Sequence, residues 1–256
     1  MSIVSFDLEG DFAAFRDPSV TTNQTVTITP SKSAIVGLIG ALLGVARSNS
    51  IFEGLYSESY IELLKNTAVG IRVRNHPKKW AFFTNHRSLK EAKTKPFKTE
   101  LLISPCYTIF VKSTNEINKA LLERLEGNNF AFSPTLGHSY CLARIPRFQK
   151  IEEAKEVQPQ NRRVSTVFLD EVMESNSRKP GVLFETSIGS PARIVVERHI
   201  HHYFKGDIMK RSVLRHFIPI PVDGASSYVT IESYDTPLSI TKFYAIDDSG
   251  EALCLY

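Results

Sequence analysis

The sequence has little cysteine and no long apolar run, and each shortage removes a class of protein from consideration. Its three cysteines, Cys106, Cys141 and Cys254, are widely spaced, odd in number and free of any CxxC pair. That spacing supports neither a disulfide framework nor a tetrahedral zinc site, and it points to a reducing compartment. The longest uncharged apolar stretch runs only from Ala34 to Ala46, short of the ~20 residues that a membrane helix needs. The opening residues, Met1 to Glu9, lack the basic start and apolar core of a signal peptide. A cytoplasmic protein with no membrane contact is the expectation. GxSxG, HExxH, Walker A and paired-carboxylate patterns are also missing, so neither a metal nor a cofactor is expected.

What is present is a chain of 256 residues, 42% hydrophobic and 23% charged, close to an average soluble domain. It is long enough for one large domain or two small ones. Ile3 to Leu8 alternates apolar and polar residues, with Val4, Phe6 and Leu8 on one face, as a half-buried strand does. A polar loop from Asp17 to Thr29 leads to Pro30-Ser31-Lys32-Ser33, which is helix-start chemistry, and to an apolar helix reaching Ala46. A second helix is expected over Ser57 to Lys65, a strand over Val69 to Val73, and a strong strand over Leu101 to Val111, interrupted only by Pro105. Ser113-Thr114-Asn115-Glu116 reads as a capping box opening an amphipathic helix that Gly127 stops. Ser139 to Ile145 completes the order β-α-β-β-α-β. The expected fold class is α+β: a ferredoxin-like or RRM-like domain over residues 1–145, four antiparallel strands backed by two helices.

Residues 146–161 read as a linker, and residues 162–256 as a smaller, mostly β domain. That domain is expected to place strands at Val164–Leu169, Val182–Thr186, Ile194–Tyr203, Val213–Ile220, Tyr228–Ser233 and Ile240–Ile246. Turns are expected at Lys179-Pro180-Gly181 and Val222-Asp223-Gly224.

The net charge of +4 is unevenly distributed. Ile71 to Glu100 holds nine basic residues and two acidic ones, a net of +7, which leaves −3 on the rest. The same excursion carries Trp80, Phe82, Phe83 and Phe97, with His76 and His86. Bases interleaved with aromatics suit single-stranded nucleic acid, since cations neutralise phosphates and rings stack on bases at ~1–3 kcal/mol each. Arg72, Arg74, His76, Lys78, Lys79, Trp80, His86 and Arg87 are therefore RNA-binding candidates. The bland alternative is a solvated hairpin whose aromatics pack on its own base.

Three further segments carry candidate chemistry. Gly137, His138 and Tyr140, just before the fourth strand, could line a backbone-binding corner, with Arg144 beyond them; an ordinary turn is the competing reading. His199-Ile200-His201-His202 lacks accompanying carboxylates or thiols at ligand spacing, so strand-surface histidines are favoured over a metal site. Gly37, Gly40 and Gly44 match no nucleotide fingerprint and read as tight helix packing or close ligand approach.

Two segments together resemble the Cas-five family of CRISPR-associated proteins. They are Phe6-Asp7-Leu8-Glu9-Gly10-Asp11-Phe12-Ala13-Ala14-Phe15-Arg16-Asp17-Pro18 and the Pro-x-x-Ser-x-x-x-Gly-Leu helix start, Pro30 to Leu38. Phe97 to Leu102 with Pro105-x-Tyr107, and Ser133 to Ser139, look like later landmarks. The resemblance covers residues 1–145 in motif and the remainder only in topology. It implies an RRM-like domain that binds the 5′ handle of the CRISPR RNA within a type I Cascade, in the manner of type I-B systems. Partners implied are a backbone subunit, a large subunit and, through the assembled complex, target DNA. It also implies that the basic excursion, residues 74–100, is a "thumb" reaching a neighbouring subunit, and that Arg16, Lys32 and Ser33 contact the handle. One branch, in type I-C systems, cuts precursor CRISPR RNA without metal through a Tyr and an adjacent Lys-His pair. This sequence has no Lys-His dipeptide. A non-catalytic subunit is the expectation, with Tyr56, His76 and Lys78 as the alternative ribonuclease set.

Overall fold

A computed structural model of the chain describes residues 2–20, 23–48, 56–87, 93–171, 182–185, 192–205, 208–221, 228–234, 241–246 and 250–256. Its N-terminal elements are β1 (Ile3–Gly10), β2 (Phe12–Ala13), α1 (Lys32–Leu43), α2 (Glu58–Asn66), β3 (Ala68–Val73), β4 (Lys78–Arg87), β5 (Thr94–Ile103), β6 (Cys106–Lys112) and α3 (Asn115–Gly127). There follow β7 (Ala143–Arg144), β8 (Phe148–Ile151), β9 (Lys155–Val157), β10 (Arg162–Val164), β11 (Phe168–Glu171) and β12 (Val182–Glu185). The last five are β13 (Ala192–Lys205), β14 (Ile208–Pro221), β15 (Val229–Tyr234), β16 (Lys242–Ala245) and β17 (Glu251–Leu255). The class is α+β, with several small sheets whose strand pairs are antiparallel except β10 with β17.

The first sheet is ordered β3-β6-β1-β7, and β8 also pairs with β1. Alternation along β1 predicts one buried face, but Ser5 and Asp7 on the other face are buried as well. A buried carboxylate needs partners, and Asp7 has them. The Thr108 hydroxyl donates to it at 2.7 Å, and an Arg74 guanidinium nitrogen lies 3.5 Å away.

Helix α1 is capped by Ser31, whose hydroxyl accepts from the Ala34 N–H, and it ends at Gly44 in the left-handed region, short of Ala46. Helix α3 is capped by Thr114, whose hydroxyl accepts from the Ile117 N–H. Glu116 therefore falls in the first turn, where it favours the helix dipole, instead of closing a capping box. The stop is Asn128, left-handed at φ 45°, one residue beyond Gly127.

Several expectations about strands and the linker are corrected. Leu101–Val111 is two strands: Ser104 turns to φ 48° and Pro105 interrupts the pairing, so Leu101–Ile103 belongs to a hairpin and the sheet strand begins at Cys106. Of Ser139–Ile145, only Ala143–Arg144 pairs with β1. The rest of that edge is β8, in register from Ile3↔Ile151 to Phe6↔Phe148. The stretch 146–161, expected as a linker, thus carries β8 and also β9, which pairs with β16.

The C-terminal half forms a sheet ordered β12-β15-β10-β17-β16-β9 and a second one ordered β11-β14-β13. Val164–Leu169, expected as one strand, is divided between them. The turns expected at Lys179-Pro180-Gly181 and Val222-Asp223-Gly224 lie outside the described residues. One apolar cluster joins Phe6, Ile39 and Leu121 to Phe168, Leu214 and Ile231. Backbone bonds between Val69 and Tyr256, at 2.9 and 3.1 Å, tie the chain's last residue to the edge of the first sheet.

Candidate nucleic-acid interface

The start of α1 opens onto two adjoining cavities of about 420 and 410 Å³. Ser31, Ser33, Arg47, Tyr56, Gly137 and His202 line both, so they form one cleft. Arg16, His138, His199 and Arg211 line its outer part. Elements from both halves of the chain build it: the turn after β2, the helix start, the segment before α2, the loop before β7, and the β13–β14 hairpin.

Local chemistry explains the walls. Gly137 has φ +93°, and a Cβ there would lie 2.2 Å from the Ala14 carbonyl oxygen, so only glycine lets this loop lie against the chain following β2. The Arg47 guanidinium donates to the Tyr56 hydroxyl at 3.2 Å and sits 5.1 Å from the centre of that ring. This hydrogen bond is the main cause that raises the Arg47 pKa above its ordinary value. Tyr56 in turn packs on Tyr60 at 5.4 Å between centroids. Burial, then the neighbouring Arg211 and Arg47, lower the His202 pKa and favour its neutral form. Among the described residues, no Asp or Glu lines either cavity. Three guanidinium groups around a concave, acid-free wall reinforce one another's positive potential, and such a cleft suits a polyanion.

The basic excursion is a hairpin. β4 pairs with β5 from Lys78↔Ile103 to Arg87↔Thr94, and β2 extends β5 on its other edge. Phe12, Trp80 and Phe82 form an aromatic row along it, with centroids 6.5 and 4.9 Å apart. Trp80 is 48% exposed and Phe83 76%.

The cleft takes up Arg16, Ser33, Gly137 and His138 from the RNA-binding candidates, and Tyr56 from the ribonuclease set. His76 and Lys78 line neither cavity; both are exposed at the foot of the hairpin, so the alternative set is not brought together there. Arg87 is also exposed on β4, and the His86 side chain lies outside the described set. Tyr140 stacks on His138 at 5.2 Å beside the cleft.

Other candidates are engaged within the protein. Arg72 bonds to Ser165 at 2.8 Å and pairs with Glu251, which joins the two halves instead of offering a free cation. Arg74 reaches Asp7 and Thr108. Lys79 donates to the Val26 carbonyl at 2.5 Å, and Arg144 pairs with Asp11 at 3.0 Å. Lys32 is partly buried, lines neither cavity, and has its pKa lowered to about 8 by that burial.

Sequence reasoning missed Arg47, His202 and Arg211. The strand-surface reading of the histidines is corrected for two of them. His199 and His201 are buried, and with His216 and Tyr256 they form a ring cluster in which His199 stacks on His216 at 4.0 Å. Burial lowers the His201 pKa to about 3 and that of His216 well below its ordinary value. Among the described residues, no group of three or more His, Cys, Asp or Glu is placed to hold a metal ion. No described helix is long and apolar enough to cross a membrane.

Fold and cleft together define an α+β protein with a concave, acid-free cationic site. The family model described as CRISPR-associated protein (Cas_Cas5) matches residues 3–214. The chain belongs to that family. No curated protein matches it. Among solved structures, it is similar to a chain of a CRISPR RNA-guided surveillance complex, with 14% identity over 85% of this chain and 90% of that one and a TM-score of 0.49. It is also similar to a chain described as a Cas protein, with 16% identity, 87% and 100% coverage and a TM-score of 0.41. A third likeness is to a chain of the type III-B Cmr-beta complex bound to cognate target RNA and AMPPnP, with 11% identity, 90% and 86% coverage and a TM-score of 0.37.

Proposed function

We propose that this protein is the non-catalytic subunit that binds the 5′ handle of the CRISPR RNA in a type I Cascade, as in type I-B systems. The observation that carries the reading is the acid-free cleft at the start of α1, where Arg16, Arg47 and Arg211 converge. Guanidinium groups make bidentate contacts with phosphates, and a cavity of about 410 Å³ has room for an unstacked nucleotide but not for a duplex. The β4–β5 hairpin acts as the thumb, meeting RNA or the neighbouring backbone subunit, and other surfaces dock the large subunit. Target DNA is met through the assembled complex. No cofactor takes part.

The test is binding of the purified protein to repeat-derived single-stranded RNA and to a scrambled control across a salt series. Preference for the repeat-derived 5′ end supports the handle reading; equal affinity for both RNAs would falsify it.

One observation favours a second reading, a metal-independent endoribonuclease. The Tyr56 hydroxyl, held by Arg47, shares the cleft with His202. A neutral imidazole can accept the 2′-hydroxyl proton while a guanidinium stabilises the phosphorane. Repeat RNA incubated with the protein in EDTA separates the two readings. Specific cleavage lost in Tyr56→Phe or His202→Gln establishes the ribonuclease; intact RNA leaves the binding subunit.

A further inference from the structure

β13 and β14 pair without interruption from Ala192↔Pro221 to Lys205↔Ile208. Their two faces do different work. Glu197, His199 and His201 pack from one face into the protein, with His199 also reaching the outer part of the cleft, whereas His202 and Arg211 are direct cross-strand partners on the other. Directly opposed residues stand side by side on the same face, and both of these line the cleft.

Two anchors hold the hairpin there. The Glu197 carboxylate accepts the Ile28 N–H at 2.7 and 2.9 Å, and the Thr29 N–H lies 3.4 Å away, just before α1 begins. Near the hairpin tip, Phe204 lies under the Lys65 ammonium of α2 at 4.8 Å, and Met209 shares the cavity wall with Tyr60 and Leu64. Between these anchors, Arg211 is exposed and has no ion pair among the described residues. His202 beside it is half-buried, with its Nδ1 buried and unpartnered. An arginine fixed on a doubly anchored hairpin, beside an unsatisfied imidazole and facing Arg16 and Arg47 across a cavity lined by no described carboxylate, has no ion-pair partner among the described residues.

We infer that the His202–Arg211 pair of the β13–β14 hairpin is the second jaw of the RNA cleft, gripping a phosphodiester of the single strand against Arg16 and Arg47. This rests on the reading of the cleft as an RNA site. It adds that RNA is held by both halves of the chain, so binding and docking of the hairpin stabilise each other. Ligand bound across the joint holds β13–β14 against α2 and the residues preceding α1.

The test uses the full chain and a 5′-labelled, repeat-derived single-stranded RNA, with Arg211→Ala, Arg211→Lys, Arg47→Ala and Arg193→Ala compared by anisotropy between 50 and 300 mM salt. Arg193 is exposed on β13 but outside the cleft. Loss of one phosphate contact weakens binding ~10-fold and flattens the log–log salt slope by ~0.7. That result is expected for Arg211→Ala and Arg47→Ala, with the slope restored in Arg211→Lys and Arg193→Ala staying within about twofold of the parent. RNA is also expected to slow amide exchange along β13 and β14 in the parent but not in Arg211→Ala. Melting temperatures equal to the parent's confirm that the variants fold, since each substituted residue is exposed. If Arg211→Ala matches Arg193→Ala while Arg47→Ala weakens binding, the jaw is overturned and the handle reading stands. If the parent binds scrambled RNA equally well, the handle reading falls, and the jaw is judged by the Arg211 slope alone.

Discussion

The β4–β5 hairpin and the cleft at α1 are both cationic, yet they are built in opposite ways. The hairpin concentrates its charge along the sequence: the segment from Ile71 to Glu100 carries +7. Part of that charge is already engaged, because Arg72 pairs with Glu251 and Arg74 lies 3.5 Å from Asp7, both acids outside the segment, while the Lys79 ammonium donates to the Val26 carbonyl. The cleft has fewer cations, contributed by residues as distant as Arg16 and Arg211, but they face a common space that no Asp or Glu lines among the described residues. Linear charge density predicts attraction at long range, whereas convergence in a concave site predicts a defined contact. Salt response and mutational cost should therefore divide between the two regions.

The largest effect expected breaks the cleft without changing any charge. Gly137→Val forces a branched side chain into φ +93° and drives its Cβ into the Ala14 carbonyl, at a cost of ~4 kcal/mol. Chemical denaturation should show that loss together with weakened RNA binding, while a comparable substitution at exposed Asn85 of the hairpin changes neither. A Gly137→Val protein with parental stability would remove this loop from the architecture of the site.

Acid comes next, acting on the core side of the hairpin whose outer side walls the cleft. His201 and His216 have folded pKa values depressed by burial, to about 3 for His201. The groups around them are His199, His202, Lys32 of α1 and Tyr256, with Glu197 next to His199. The unfolded chain takes up these protons near pH 6.5 and the folded one does not. Their stabilisation is therefore complete above pH 6.5 and lost as pH falls from there toward 3. Two such groups cost ~3 kcal/mol by pH 5.5. Denaturation midpoints that stay level from pH 7 to pH 5.5 would show that the rings are free to ionise in place. Amide exchange should rise in β13 and β14 before it rises in β4 and β5.

The two regions also differ in how much the sequence foretold. Alternation in β1, the Ser31 and Ser57 caps and the stripe of α3 are local signals, and these elements stand where the pattern puts them. β8 and β17 were not foreseen, because a short strand is defined by the edge it pairs with and not by its own periodicity. The basic hairpin was visible because its cations are neighbours in sequence. Arg47, His202 and Arg211 were not, because only the fold brings them together. One signal was within reach: with β13 and β14 read as adjacent strands, register places His202 opposite Arg211.

Neutralising Lys78, Lys79 and Arg87 together sharpens the comparison from the other side. If RNA runs from the cleft along the hairpin, the triple variant flattens the salt slope by ~2 and, on the proposed reading of the hairpin as a thumb, weakens assembly with the proposed backbone subunit. Its effect on Kd at moderate salt should be more diffuse, per residue, than that of Arg47→Ala. An unchanged slope with weakened assembly makes the hairpin a protein-docking arm and leaves the cleft as the RNA site.

The smallest effect is spectroscopic and reads the hairpin alone. Trp80 is the only tryptophan in the chain, and it stands half-exposed in the row between Phe12 and Phe82. A base stacking on that row should quench its emission and shift it by a few nanometres, following the ~1–3 kcal/mol by which stacked bases bind aromatic platforms. Trp80 lines neither cavity, so RNA confined to the cleft leaves its emission unchanged. Titration of the parent with repeat RNA is expected to quench Trp80, and Arg47→Ala should move the titration midpoint without changing its amplitude, because the cleft sets affinity while the hairpin reports contact. Quenching that appears only when the backbone subunit is added, with RNA alone silent, would assign the aromatic row to protein and the whole RNA grip to the acid-free cleft.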